Sequence, residues 1–145
     1  MNLVIVESPY AGDIERNTAY ARRCLRHCLD RGEAPLASHL LYTQPDVLDD
    51  SIPAERERGI QAGYEWMYAA DKIVFYVDLG WSPGMLKALK MARLLKRPTE
   101  VRRFTPYRSG IVPPPEVEDL LKAGIIEPMD ESMPGVLAYV FKWDE

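Results

Sequence analysis

Hydroxylated and small residues follow the first apolar run of the chain, at the point where a loop leads into a helix. Ser8, Tyr10 and Gly12 come directly after the run 3–6. Two hydroxyl groups suit a ligand whose oxygen atoms approach the loop closely, and glycine adopts backbone angles that other residues resist. The pattern predicts a ligand-binding loop, with an ordinary turn as the alternative. Asn17, in the helix that follows, is expected either to face the same ligand or to be exposed.

A second junction of this kind follows the apolar run 73–77. Its polar, glycine and aromatic positions are Asp78, Gly80, Trp81, Ser82, Gly84 and Met85. An ionised carboxylate at the end of a buried strand needs a partner because burying it alone is costly, and a ribose diol or a backbone amide would supply one. The helix that begins at Pro83 presents free amides that attract a phosphate or carboxylate, although Ser82 is also explained as a helix cap. Trp81 is placed to stack on a base.

A third group of polar side chains begins with His39 at the end of the second predicted strand and continues into the first turn of the second long helix. It consists of His39, Asp50, Glu55 and Arg56. A carboxylate such as Glu55 serves as a general acid or base when burial raises its pKa towards neutrality. Arg56 would hold an anionic group through charge-assisted hydrogen bonds. The alternative is that these charges are simply solvated.

The elements that position these residues alternate between apolar runs and helical segments. We predict strands at 3–6, 35–42, 73–77 and 98–104 and helices at 13–32, 53–69 and 83–96. Asp13 is suited to cap the first helix, Gly32 to end it and Pro53 to begin the second. This order predicts an α/β fold, a doubly wound, Rossmann-like parallel sheet of four to five strands with helices on both faces. Ligands bind such sheets outside the carboxyl ends of the strands, so Tyr10 and Asp78 are expected to wall one pocket.

The composition changes after residue 104, where prolines interrupt regular structure. A short helical stretch is expected at 116–123 and a strand at 136–141, which would pair either with the sheet edge or with another subunit. About forty residues seldom form a core of their own. We therefore predict a core at 1–104 and a proline-rich C-terminal extension of the same domain at 105–145.

Composition and charge restrict the function further. The 145 residues are 47% hydrophobic, enough for one domain, and the formal net charge of -4 argues against a nucleic-acid polymer as partner. No apolar stretch approaches the roughly 20 residues that span a bilayer, and no cleavable leader pattern is present, so we expect a cytoplasmic protein without a membrane partner. Cys24 and Cys28 share a helix face beside His27, but a zinc site needs four ligands. We interpret these cysteines as structural and expect no metal and no cofactor.

Several short motifs occur in a characteristic order along residues 1–104. They are Ser8-Pro9-Tyr10, Asn17, His39-Leu40-Leu41-Tyr42, Leu48-Asp49-Asp50, Pro53 with Glu55-Arg56 and Gly59, Ala70-Asp71, and Tyr76-x-Asp78-x-Gly80-x-Ser82-x-Gly84-Met85. In this combination the chain resembles the nucleoside 2-deoxyribosyltransferase-like superfamily, and in particular a small branch found in phage and bacterial genomes. The resemblance implies a doubly wound parallel sheet, a nucleoside or nucleotide pocket at the strand ends, and a homo-oligomer whose neighbours complete each other's sites.

Members of that superfamily cleave the N-glycosidic bond of a deoxynucleoside or its monophosphate through a glutamate nucleophile on the helix after the third strand. In this chain the matching position is Gly84, Lys87 or Ala88, and none of these forms a glycosyl ester. A different carboxylate would have to act, and the candidates are Asp78, Glu55 and Glu7.

Three functional hypotheses follow. The first is an N-glycosidase or deoxyribosyltransferase-like enzyme, thus a hydrolase or transferase, with Asp78 and Glu55 as catalytic residues. The second is a non-catalytic binder, a sponge or sensor for a nucleotide-derived signal, which the missing nucleophile favours. The third is an interaction module that uses Trp66, Tyr68, Trp81 and the aromatic residues of the C-terminal tail as an interface, since exposed aromatic residues favour contacts between proteins.

Overall fold

The computed structural model of the protein describes residues 1–104, 126–128 and 139–141. Its elements in chain order are β1 (Leu3–Glu7), α1 (Ile14–Asp30), β2 (Ala34–Leu36), α2 (Ser38–Leu41), α3 (Pro53–Ala69), β3 (Lys72–Tyr76), α4 (Pro83–Leu94), β4 (Thr99–Arg102), β5 (Ile126–Pro128) and β6 (Tyr139–Phe141). The alternation of strand and helix through β4 confirms the predicted α/β fold. The helical stretch expected at 116–123 lies outside the described residues, and the boundary between core and extension stays a prediction.

The strands form one sheet in the order β2-β1-β3-β4-β6-β5. β2, β1, β3 and β4 are parallel, with Glu7 of β1 opposite Phe75 of β3 and Tyr76 of β3 opposite Arg102 of β4. β6 adds antiparallel to β4, and β5 adds antiparallel to β6, so the strand expected near the C-terminus pairs with the sheet edge. The carboxyl ends of the parallel strands therefore lie together at one end of the sheet.

Helices cover both faces of the parallel strands, as predicted. Because side chains alternate along a strand, Val4 and Val74 point to one face, where they pack with Cys24 of α1. Ile5 and Phe75 point to the other face, which packs against α3 and α4. Among the described residues, none of the helices combines the length and the apolar character that crossing a membrane requires.

The predicted helix signals are present at the ends of the long helices. Asp13 caps α1 by accepting a hydrogen bond of 3.1 Å from a backbone amide in its first turn, and Gly32 follows the end of α1 with a φ of +76°. Pro53 is the first residue of α3. Ser82 caps α4 by accepting a backbone hydrogen bond of 3.2 Å. Local sequence therefore fixes where these helices begin or end.

The second strand and one helix face differ from the prediction. The strand covers only Ala34–Leu36, and the next residues form α2, so His39 lies on a helix and not at a strand end. The apolar run that continues to Leu40-Leu41 predicts a strand, but only Leu40 packs on the core while Leu41 is exposed, as on a single helical turn. The spacing of Ile14, Ala21, Leu25 and Cys28 predicts one buried face of α1. Ile14 is nevertheless exposed because it occupies the first turn, ahead of the residues that face the sheet.

Candidate functional site

A cavity of about 200 Å³ opens at the carboxyl end of β1, bordered by α2, α3 and the N-terminus of α4. This is the end of a parallel sheet at which ligands bind in α/β folds. The lining includes most of the residues that the sequence singles out, namely Ser8, Tyr10, His39, Asp50, Glu55, Arg56, Ser82, Gly84 and Met85. One cavity thus brings together residues that are far apart along the chain.

Glu7, the last residue of β1, contributes a carboxyl group to this cavity. Strand alternation directs it to the same face as Ile5, towards α3 and α4. No described residue donates a hydrogen bond to this carboxyl group or forms a salt bridge with it. Burial raises the pKa of Glu7 from 4.5 to about 8, because an unpaired charge is costly in an apolar environment. The group is therefore mainly protonated at neutral pH and able to donate a proton.

Ser8 and His39 form a hydrogen-bonded pair inside the cavity. Ser8 Oγ lies 2.8 Å from His39 Nε2, and Ser8 is buried. The other imidazole nitrogen, His39 Nδ1, is buried and has no hydrogen-bond partner among the described residues. Burial lowers the pKa of His39 to about 4, so the imidazole is neutral at pH 7. A hydroxyl group held by a neutral imidazole supports nucleophilic or general-base chemistry.

Contacts between α2 and α3 fix the position of His39. A Cβ atom placed on Gly63 of α3 would lie 2.7 Å from Ser38 Oγ and 3.2 Å from Ser38 Cβ, so a side chain there would force Ser38 of α2 to move. Trp66 Nε1 donates a hydrogen bond of 2.7 Å to Tyr42 Oη, just beyond the end of α2. The imidazole is thus held by a short helix that α3 supports from one side.

Charged side chains border the cavity as well. Arg56 Nη1 lies 3.8 Å from Asp50 Oδ2. Glu55 Oε1 accepts a hydrogen bond of 3.4 Å from the backbone N of Asp49. Lys87 of α4 adds a second cation to the lining. A phosphate or carboxylate group on a ligand would find both cations in the same cavity.

The N-terminus of α4 contributes small and cationic side chains to the cavity instead of a carboxylate. Its lining residues are Ser82, Pro83, Gly84, Met85, Lys87 and Ala88. Gly84, Lys87 and Ala88 are the three positions at which the sequence comparison above looked for a carboxylate, and none of them carries one. The part of α4 that lines the cavity therefore contributes no carboxyl group.

Asp78 does not line this cavity, contrary to the expectation that it would face Tyr10 across one pocket. Tyr20 Oη donates a hydrogen bond of 2.6 Å to Asp78 Oδ2, and the backbone N of Phe104 donates to both carboxylate oxygens at 3.0 and 3.1 Å. Tyr20 belongs to α1, so these contacts direct the carboxylate towards the α1 face of the sheet. A backbone amide, one of the two partners that the sequence suggests, is therefore present.

Four other predicted ligand-binding residues lie outside the lining of this cavity. They are Gly12, Asn17, Gly80 and Trp81. Asn17 Nδ2 donates hydrogen bonds of 2.9 and 3.1 Å to two carbonyl oxygens of the loop that carries Tyr10, so it shapes the loop from behind. Gly12 and Gly80 have φ values of +99° and +89°, which their turns require. Trp81 packs on the apolar core.

The signal for Glu7 is present in the sequence but carries little weight there. An apolar run that ends in a carboxylate is the same signal that points to Asp78, and only the fold shows which of the two acids has partners. The pairing of Ser8 with His39 has no local signal, since 31 positions separate the two residues. Lys87 is one of several lysines on the third long helix, and only its position on the cavity distinguishes it.

Metal-binding side chains are not clustered in the described part of the chain, where no group of three or more His, Cys, Asp or Glu residues is arranged to hold an ion. Cys24 and Cys28 are buried free thiols. Both pack in the core beneath α1, which agrees with the structural role predicted for them.

A family model described as Domain of unknown function (DUF7768) matches residues 2–102. This range contains every residue that lines the cavity. No curated protein matches the chain.

Proposed function

Because the chain belongs to the family described as Domain of unknown function (DUF7768), we propose its function from the cavity itself. The protein binds a nucleoside or nucleotide and cleaves or transfers its sugar at the N-glycosidic bond, with Glu7 as the general acid. The observation that carries this proposal is the carboxyl group of Glu7, which lies in the cavity without a hydrogen-bond partner among the described residues.

A departing nucleobase needs a proton on the nitrogen that leaves the sugar. A carboxyl group that stays protonated near neutral pH is suited to supply it, and general acid catalysis contributes about 10²- to 10⁴-fold to a rate. Glycoside hydrolases also use a carboxyl group as general acid, and an apolar environment raises its pKa. We assign this role to Glu7 in place of Asp78, whose carboxylate is engaged by Tyr20 and Phe104.

The rest of the lining supports a ligand of this class. Tyr10, Tyr42 and Tyr64 offer aromatic surface on which a base stacks. Arg56 and Lys87 offer positive charge for a phosphate group. The volume of about 200 Å³ is below the roughly 300–1,000 Å³ of most small-molecule sites, so it restricts the ligand to a compact molecule. The order of motifs that resembles the nucleoside 2-deoxyribosyltransferase-like superfamily supports the same ligand class.

The test compares the protein with its Glu7→Gln variant. Both are incubated with ribonucleosides, 2′-deoxynucleosides and their 5′-monophosphates, and free base is measured by liquid chromatography. The amide keeps the shape and the neutral charge of the protonated acid but donates no proton to the base. We expect ligand binding, measured by calorimetry, to change little, while kcat falls about 10²- to 10⁴-fold.

The matched control is Glu57→Gln, because Glu57 is an exposed acid of the same helix as Glu55 and is absent from the cavity lining. It should retain full activity. If Glu55→Gln loses activity while Glu7→Gln keeps it, Glu55 and not Glu7 is the general acid. No release of base from any compound would contradict the enzymatic part of the proposal.

A second candidate function is binding without turnover, as in a sponge or sensor for a nucleotide-derived signal. The specific observation in its favour is that α4 brings no carboxylate to the cavity. A thermal-shift screen with the same compounds tests it. Stabilisation by a nucleotide that is recovered intact, equally in the protein and in Glu7→Gln, would favour the binder.

The cellular setting follows from the thiols and the resemblance. Cys24 and Cys28 are free, and free thiols are typical of reducing compartments, so we propose a cytoplasmic location. The homo-oligomer that the resemblance implies stays a prediction, which sedimentation velocity tests directly.

A further inference from the structure

We propose that the sugar passes directly to water, and that the Ser8–His39 pair takes the proton of that water. This inference rests on the proposed function, and it adds an acceptor and a base to the general acid. It makes the protein a single-displacement hydrolase of N-glycosidic bonds and not a transferase that works through a glycosyl-enzyme ester.

The carboxylates that line the cavity do not favour an ester route. Glu7 is mainly protonated at neutral pH, and a protonated acid is a poor nucleophile. Asp50 lies 3.8 Å from the guanidinium of Arg56 at the border of the cavity. Glu55 accepts a hydrogen bond from the backbone of the preceding loop. The helix that would supply a nucleophile supplies Gly84, Lys87 and Ala88 instead.

The Ser8–His39 pair has the geometry of a base that acts on water. Ser8 Oγ and His39 Nε2 are 2.8 Å apart, and both residues line the cavity that holds Glu7. His39 Nδ1 is buried without a partner among the described residues. Within the described part of the chain, the imidazole is held by its hydrogen bond to Ser8, by an edge contact with the ring of Tyr10 at 6.4 Å between ring centroids, and by the packing of α2.

The step balances without a further reactant. The bond between the sugar carbon and the base nitrogen breaks, and its electron pair goes to the nitrogen, which takes the proton of Glu7. The water oxygen forms a bond to the sugar carbon and gives its proton to Ser8 Oγ, while the hydroxyl proton of Ser8 passes to His39 Nε2. Glu7 is left as a carboxylate and His39 as an imidazolium, and exchange with solvent restores both.

The ionisation of the two groups is consistent with these roles. Burial lowers the pKa of His39 to about 4 and raises that of Glu7 to about 8, so base and acid are both in the required form between these values. The other titratable groups that line the same cavity are Tyr10, Tyr42, Asp50, Glu55, Arg56, Tyr64 and Lys87. A plateau of kcat/KM between about pH 4 and pH 8 is expected, with a fall on either side.

The first experiment offers a second free base as an alternative acceptor during turnover. We expect free sugar and free base as the only products. Formation of the exchanged nucleoside, or a glycosyl adduct on the protein by intact mass spectrometry, would overturn direct transfer to water and leave the proposed function standing. Absence of any base release would remove both proposals.

The second experiment tests whether the Ser8–His39 pair is the general base. Ser8→Ala should lower kcat about a hundredfold or more and leave KM nearly unchanged, whereas the control Ser51→Ala, outside the cavity lining, should behave like the unaltered protein. His39→Gln should remove the fall of kcat/KM near pH 4, and Glu55→Gln should not. A Ser8→Ala variant that folds, binds and turns over normally would show that the pair only positions α2.

Discussion

The ionisable side chains on the two faces of the sheet lie in different environments. On the face covered by α1, Arg102 is fully buried and donates hydrogen bonds to Glu33 at 2.7 and 2.8 Å and to Glu100 at 2.8 and 3.0 Å. Lys72 Nζ lies 2.6 Å from Glu33 and 2.9 Å from Glu100. On the face covered by α3 and α4, Glu7 has no such partner among the described residues.

The pKa values of Glu33 and Glu7 reflect this difference. Burial acts to raise the pKa of both carboxyl groups. For Glu33, hydrogen bonds from Arg102 and Lys72 outweigh burial and hold the pKa at about 2. For Glu7 nothing opposes burial, and the pKa is about 8. A buried acid with complete partners serves the fold, whereas a half-buried acid that faces a cavity without such partners is a candidate for chemistry.

The largest expected effect comes from removing the cation of the paired region. Arg102→Met leaves Glu33 and Glu100 buried without their main partner, so the free energy of unfolding should fall by about 3–5 kcal/mol. Urea unfolding followed by circular dichroism measures it. The control is Arg26→Met, since Arg26 and Asp30 form an exposed pair and such pairs contribute little. Equal losses in the two variants would contradict the structural role of the buried group.

The dependence of stability on pH should also separate the two regions. The folded pKa of Glu7 lies above its ordinary value of 4.5, so the stability it contributes is complete below pH 4.5 and is lost as pH rises through about 8. The slope is at most about 1.4 kcal/mol per pH unit. Glu33 acts in the opposite sense, because its stability is present above pH 4.5 and is lost as pH falls through about 2.

The measurement is the difference in urea stability between Glu7→Gln and the unaltered protein from pH 4 to pH 9. The difference cancels the contribution of His39, whose lowered pKa makes stability fall with decreasing pH between 6.5 and about 4. The variant should gain relative stability steadily up to about pH 8 and then level off. A constant difference would mean that the Glu7 carboxyl group titrates normally.

A smaller effect is expected at Asp78, a carboxylate that, like Glu33, has hydrogen-bond partners within the fold. Asp78→Asn weakens the acceptor of the hydrogen bonds from Tyr20 and the backbone of Phe104, so unfolding should require about 1–3 kcal/mol less. Nucleotide affinity and kcat should be unchanged within a few-fold. Asp46→Asn is the control, since Asp46 is exposed with a φ of +68° that asparagine tolerates. An Asp78→Asn variant that loses turnover but keeps its stability would show that Asp78 acts in the functional site.

The sequence by itself determined the α/β fold, the approximate bounds of most elements and the end of the sheet where the cavity lies. These follow from local causes: apolar runs of strand length, and caps such as Asp13, Pro53 and Ser82 next to the helices they begin. The apolar pattern beyond Leu36 is also a local signal, but the strand it predicts there is wrong. The segment instead forms α2, which packs against α3.

Only the tertiary structure decided which polar groups are satisfied and which face a ligand. Asp78 and Glu7 both end apolar runs, but Tyr20, whose hydroxyl group binds Asp78, is 58 positions away along the chain. Glu33 is likewise 69 positions from Arg102, and His39 is 31 positions from Ser8. Hydrogen bonds and desolvation depend on distances in space that no local pattern encodes. For that reason the site can be placed at the strand ends from the sequence, but the acid with a raised pKa is identified only in the fold.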